Sequence, residues 1–142
     1  MNPTAILYPA IAMFALTFGA ILLLGFARFG AVRRRDVRLS FYRTYDQGSQ
    51  PAHLHLLARH VQNHFEVPPL FYAGVLLTFV SGSVNMPAVV FAWLYVATRC
   101  VHSYIHLGSN NVSRRFFTFL TSLIFLAALW LTLLYSLVTS AA

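Results

Sequence analysis

The chain is 142 residues long, 58% hydrophobic and only 9% charged, with a mean hydropathy of +0.67. That length suits one domain, and so apolar a composition excludes a soluble globule. The formal net charge of +7 rests on ten basic residues, all arginines, against three acidic ones, so the placement of those arginines decides whether a nucleic-acid partner is needed to explain them.

Residues 4–27 carry no charge and exceed the ~20 residues a helix needs to cross a bilayer. They predict a first span. A cleaved signal peptide does not fit, because its basic residues precede the apolar run and here they follow it. Arg28, Arg33, Arg34, Arg35, Arg38 and Arg43 come next, and residues 28–52, ending in "YDQGSQP", read as a loop too short for a domain. Residues 53–80 predict a second span. Its first half holds the polar stretch "ARHVQNHFEVPP" from Ala58 to Pro69, and Pro68 and Pro69 remove backbone donors, kinking the helix beside Glu66. Gly82 and Asn85 in the short link that follows make spans two and three an antiparallel hairpin, and Pro87 suits a first helical turn. The third span, 87–107, is interrupted by Arg99, His102 and His106. Arg114 and Arg115 precede a fourth span, 116–139. These elements predict an all-α integral membrane protein, a four-helix transmembrane bundle in a single domain over residues 1–142.

The arginines cluster in loops one and three and are absent from both termini and the middle loop. By the positive-inside rule loops one and three are cytoplasmic and the termini face away. Topology therefore accounts for the charge, and no nucleic-acid partner is expected; attraction of Arg33, Arg34 and Arg35 to anionic lipid headgroups is the better secondary role. Absence of a eukaryotic retention signal at the terminal "TSAA" leans towards a bacterial inner membrane. Cys100 is the one cysteine, which excludes an intramolecular disulfide and a cysteine metal cluster.

At about 100° per residue, Arg59, Asn63 and Glu66 share one helical face within about 60°, and so do Arg99, His102 and His106. Polar groups inside a span face a bundle interior or a wet cavity, so the two stripes predict a polar pocket opening to the cytosol. Two readings stay open at this level. Arg59 with Glu66, or Glu66 with Arg99, could be ion pairs that hold the bundle in register, with Asn63 an interhelical hydrogen bond; or the stripes could line a functional site. The histidines offer a further class. His60 and His64 are four apart, as are His102 and His106, a spacing at which two imidazoles can bind a metal or help ligate haem. Yet His60 and His64 point about 100° away from the Arg59 face, and no ligating cysteine or second nearby acid completes a set. No metal ligand is assigned.

"RHVQNHFEVPPLF" resembles the second-helix signature of the MAPEG family, the membrane-associated proteins in eicosanoid and glutathione metabolism, through Arg59, Asn63 and Glu66. "RCVHSYIHLG" is similar to the family's third helix through Arg99, His102, Leu107 and Gly108, and Arg115 falls where glutathione-using members place an arginine opening helix four. The resemblance implies a homotrimer with glutathione between neighbouring subunits near the cytoplasmic face. It implies cofactor-binding roles for Arg59, Asn63, Glu66, Arg99, His102, His106 and Arg114, and Arg115 as the catalytic residue that lowers the thiol pKa. The chemistry agrees, since forked arginine donors suit carboxylates, Glu66 suits an ammonium, and a positioned arginine stabilises a thiolate. The chain departs from the glutathione-using pattern at His55 and Leu56, usually a Glu-Arg pair; at His60, usually alanine; at His106, usually tyrosine; and at Phe116, a serine in one branch. The expected function is a glutathione-dependent transferase or peroxidase acting on a lipophilic electrophile from the bilayer. A non-catalytic member binding a lipid or partner is the alternative, and a metal- or haem-binding bundle the third.

Overall fold

In the computed structural model, residues 2–45 and 49–141 are described. The middle of the expected loop, residues 46–48 of "YDQGSQP", lies outside the described residues. Asn2 caps a 3₁₀ turn, Pro3–Ile6, by accepting from the Thr4 backbone N–H at 3.0 Å, and the chain continues into α1, Leu7–Arg33. Arg35 then takes a left-handed conformation, φ 63°, and the amides of Arg35 and Asp36 close on the carbonyls of Val32 and Ala31. That return satisfies the orphan carbonyls of the last turn.

Loop one is more folded than its composition suggested. It contains a short helix, α2, Phe41–Thr44, and Ala31, Val37, Phe41 and Leu54 form a small apolar cluster that ties α1 to the start of α3. The Arg28 guanidinium lies 5.2 Å from the centre of the Tyr42 ring and 5.7 Å from that of Tyr45, so aromatic faces hold one of the charges that follow the first apolar run.

The second expected span is two helices, α3, Ala52–Glu66, and α4, Pro68–Val80, which meet at Val67. The division falls where the prolines require it, because Pro68 cannot donate to the carbonyl of His64 and its ring crowds that carbonyl. Alone, α4 measures about 20 Å, short of the ~30 Å hydrocarbon core. Among the described residues, three helical segments are long and apolar enough to cross a membrane: Pro3–Arg33, Met86–Leu107 and Val112–Ser140. Gly82, at φ 68°, turns the chain after α4. Asn85 starts α5, Met86–Leu107, by accepting from the Ala88 amide at 2.9 Å, and its side-chain amide donates to Ser136 Oγ at 3.1 Å. Asn111 plays the capping part for α6, Val112–Ala141, accepting from the Arg114 amide at 3.0 Å.

The helices pack as an all-α bundle in which α5 and α6 form the most extensive pair. Its core runs through Ile6 and Met13, Phe71 and Val75, Ala88, Ala92, Tyr95 and Val96, and Leu126 and Leu129. Phe71 and Tyr95 stack with ring centres 4.4 Å apart. Large apolar side chains also point outward, among them Phe14, Phe26, Phe29, Leu131 and Tyr135, as expected where lipid is the solvent. The chain is an integral membrane protein of the all-α class.

Gly74 lies at a close contact between α4 and α6. A Cβ there would meet Trp130 Nε1 at 3.1 Å and Leu129 at 3.4 Å, and Trp130 donates from that nitrogen to the Leu70 carbonyl. A small residue lets α4 and α6 approach. Gly74→Val is expected to destabilise the fold by about 1–3 kcal/mol through overpacking, read as a lowered thermal midpoint in detergent.

Candidate functional site

A cavity of about 280 Å³ is lined by Asn63, Glu66, His102, Val112, Arg115, Phe116 and Phe119. It draws two residues from the end of α3, one from α5 and four from the first turns of α6. The kink after Glu66 and the Asn111 cap that opens α6 set its two sides. Other recesses are wider, including one of about 420 Å³ in loop one beside Arg35 and Arg38 and apolar grooves on the outer faces of α1 and of the α5–α6 pair. The α3–α5–α6 cavity joins an amide, a carboxylate, an imidazole and a guanidinium to an apolar wall, which is the mixture a small polar ligand and an apolar co-reactant need.

Of the sequence-predicted residues, Asn63, Glu66, His102 and Arg115 line this cavity, whereas Arg59, Arg99, His106 and Arg114 do not. Arg114 is exposed. Arg115 is half-buried; its Nη1 donates to Asn110 Oδ1 at 2.7 Å, and its Nε is buried without a partner. Arg99 sits one layer behind the cavity, 1% exposed. Its Nη2 donates to the Asn63 carbonyl at 2.9 Å, its charge lies 5.9 Å from the centre of the Phe119 ring, and Nε and Nη1 are buried without partners. A buried guanidinium with donors to spare fits an anion, since charge is tolerated there only when paired.

The stripe on α3 faces otherwise than expected. Arg59 and Glu66 are exposed and Asn63 is half-buried, so this face looks out of the bundle rather than across at Arg99. The inward face of α3 carries His60 and His64, each 2% exposed. Periodicity specifies which residues share a face, and packing against α1 and α5 selected the other face for the interior. The expected ion pairs are likewise not formed. Among the described residues the ion pair is Arg34 with Asp36, 3.0 Å apart and exposed; neither Arg59–Glu66 nor Glu66–Arg99 holds the bundle in register within the chain.

His60 and His106 had been two separate departures from the family pattern, and the structure makes them neighbours. Their Nδ1 atoms are 3.2 Å apart. His64 stacks edge-on against His60 and its Nδ1 lies 3.0 Å from Thr17 Oγ1 on α1. Among the described residues no group of three His, Cys, Asp or Glu side chains is placed to hold a metal ion. Thr118 also went unnoticed in the sequence. Its hydroxyl lies 3.3 Å from His102 Nδ1, which is also 3.2 Å from the Arg115 carbonyl. A threonine one turn after Arg114 is common in helices, and only the approach of α5 gives it a role.

Comparison with known proteins gives one result. The family model described as the MAPEG family matches residues 6–135, nearly the whole chain. No curated protein and no solved structure matches.

Proposed function

The chain belongs to the MAPEG family, a family of glutathione-related membrane transferases and peroxidases, and on that premise we propose that this member binds glutathione in the α3–α5–α6 cavity and activates its thiol against a lipophilic electrophile. The observation that carries this reading is the meeting of Asn63, Glu66, His102 and Arg115 on one cavity whose remaining wall is Val112, Phe116 and Phe119.

Each polar group has a task. Glu66 pairs with the ligand's ammonium, Asn63 donates and accepts along its peptide groups, and Arg99, one layer behind, holds Asn63 by its carbonyl. Arg115 faces the thiol and stabilises its ionised form, aided by the dipole at the first turn of α6. Phe116 and Phe119 keep the reacting end dry and offer an apolar co-reactant a surface to lie on. Phe116 stands where one branch of the family has a serine, so thiolate stabilisation here leans on the guanidinium rather than on a hydroxyl.

Arg59 and Glu66 lie on the outer face of α3, where a second copy of the chain can complete the site. This supports a homotrimer with the ligand held between subunits. The α3–α4 stack crosses the membrane as one bent span in this reading, with loops one and three cytoplasmic.

Calorimetry with glutathione tests the site. The wild type, purified in detergent, is expected to bind saturably in the micromolar to millimolar range, and an Arg59→Ala, Glu66→Ala variant to lose at least about tenfold in affinity, the low end of truncating charged contacts. A folded trimer that binds no glutathione would sink the proposal and leave lipid as the occupant to seek.

A further inference from the structure

Four imidazoles, His60, His64, His102 and His106, are buried at or behind the cavity, and the thiol chemistry above employs none of them. His102 lines the cavity; its ring centre is 5.9 Å from that of His106, which is 5.2 Å from that of His60. The hydrogen bonds determine which nitrogens carry protons. His102 Nδ1 faces the Arg115 carbonyl and Thr118 Oγ1, and the threonine proton is itself directed to the carbonyls of Arg114 and Arg115. Nδ1 therefore bears hydrogen, and His102 Nε2, buried without a partner, keeps its lone pair. Between His60 and His106 one Nδ1 donates and the other accepts. His106 Nε2 is also buried without a partner. Orphan acceptors are tolerated better than orphan N–H groups, which makes His106 the donor and leaves its Nε2 lone pair inward.

The geometry points to a proton path in which His102, His106 and His60 carry the proton lost by a thiol in the cavity to the loop end of the bundle. The path rests on the glutathione reading above. The S–H bond breaks as an N–H bond forms at His102 Nε2, leaving a thiolate and an imidazolium. His102 then gives that proton to His106 Nε2, directly on a ring turn or through one water, and returns to neutral. His106 passes its Nδ1 proton to His60 Nδ1, and His60 releases its Nε2 proton to water. One proton enters, one leaves, and nothing is oxidised or reduced. The path ends at the His60–His106 pair, and His106 lies two residues before Gly108, where α5 ends.

The charges around the path are consistent with transit rather than storage. Arg99 on α5, Arg115 on α6 and Arg59 on α3 lie around these imidazoles, so fixed like charge disfavours a proton resting on any one of them. Glu66 lies on the outer face of α3, and Thr17 on α1 binds His64 beyond the path. Two imidazoles kept inside a span with free lone pairs are expensive unless they serve a proton or ligand.

Rapid mixing with glutathione, followed by the ultraviolet absorbance of the thiolate, tests the path in the full-length protein. His60→Asn and His106→Asn are expected to form thiolate about 100-fold more slowly at pH 7, the low end for a positioned proton-transfer group. Their final thiolate yield stays near wild type, and added imidazole restores the rate. Unchanged rates overturn the path, as does slowing that imidazole leaves untouched and that tracks lost affinity, the signature of a packing role. On the wild type alone, a bowed proton inventory in mixed light and heavy water supports several protons in flight, and a linear one overturns it. Absence of any glutathione binding by the wild type overturns the functional reading and the path with it, whereas binding with unaltered rates overturns the path alone.

Discussion

Arg115→Ala is expected to lower glutathione conjugation at pH 7 by about 30-fold while leaving the protein folded. The magnitude comes from the thiol. A free thiol with a pKa near 8.5 is about 3% ionised at pH 7, whereas one stabilised to near or below 7 is largely thiolate. Arg115 reaches the cavity with a buried Nε that has no partner in the protein, and removing it returns the bound thiol towards its ordinary value. The sign follows. A cation holds the thiol pKa down, so the variant's rate climbs as pH rises through about 8.5 and the deficit closes in alkali, which a mere loss of binding does not produce. Arg114→Ala serves as the control, because Arg114 is exposed and lies off the cavity. If Arg114→Ala reproduces the loss and Arg115→Ala does not, the assignment between the neighbours is reversed.

Arg99→Met is the second large effect, and here stability and function are expected to part. The Arg99 side chain is 1% exposed and meets one carbonyl, that of Asn63, with two further nitrogens unpartnered. Burying a charge so incompletely paired opposes folding, and an apolar side chain of similar reach removes that opposition. Methionine leaves the Asn63 carbonyl without its donor, a cost of about 1–3 kcal/mol, which roughly offsets the gain. The unliganded variant is therefore expected to melt near the wild type. Glutathione affinity falls by about tenfold, because Asn63 loses the donor that holds it on the cavity and a lost buried hydrogen bond costs about 1–3 kcal/mol, and the thermal shift expected from the ligand shrinks with it. A variant that unfolds outright yet retains affinity in its folded fraction would show that Arg99 is there for architecture.

Much of the scaffold was legible without coordinates. Apolar runs longer than a bilayer needs placed α1, α5 and α6, because in lipid a helix is the one local structure that satisfies its own backbone. Pro68 announced the break after Glu66 through chemistry confined to one turn. Of the two stripes read from spacing, Asn63, Glu66 and His102 meet on one cavity whereas Arg59, Arg99 and His106 do not, and Arg115, named through the family resemblance, joins them there. Loop one was less readable. Its polar and arginine-rich composition hid the contact of Val37 and Phe41 with Ala31 and Leu54, which depends on the chain doubling back.

By itself the sequence determined that this is a helical membrane protein, where three of its long helices run, which family it resembles and which polar residues share each helical face. Those properties depend on interactions within about one turn, or on total hydrophobicity, and neither needs a partner element. Tertiary structure alone decided how α3 is rotated about its axis. It turned Arg59 and Glu66 outward, buried His60 and His64, set His60 against His106 and placed Arg99 behind the cavity rather than on it. A helical repeat is unchanged by rotating the whole helix, so the sequence pattern carries no information on that angle. It is set by how side chains of α1 and α5 fill the space against α3, and that is settled only when the helices are packed together.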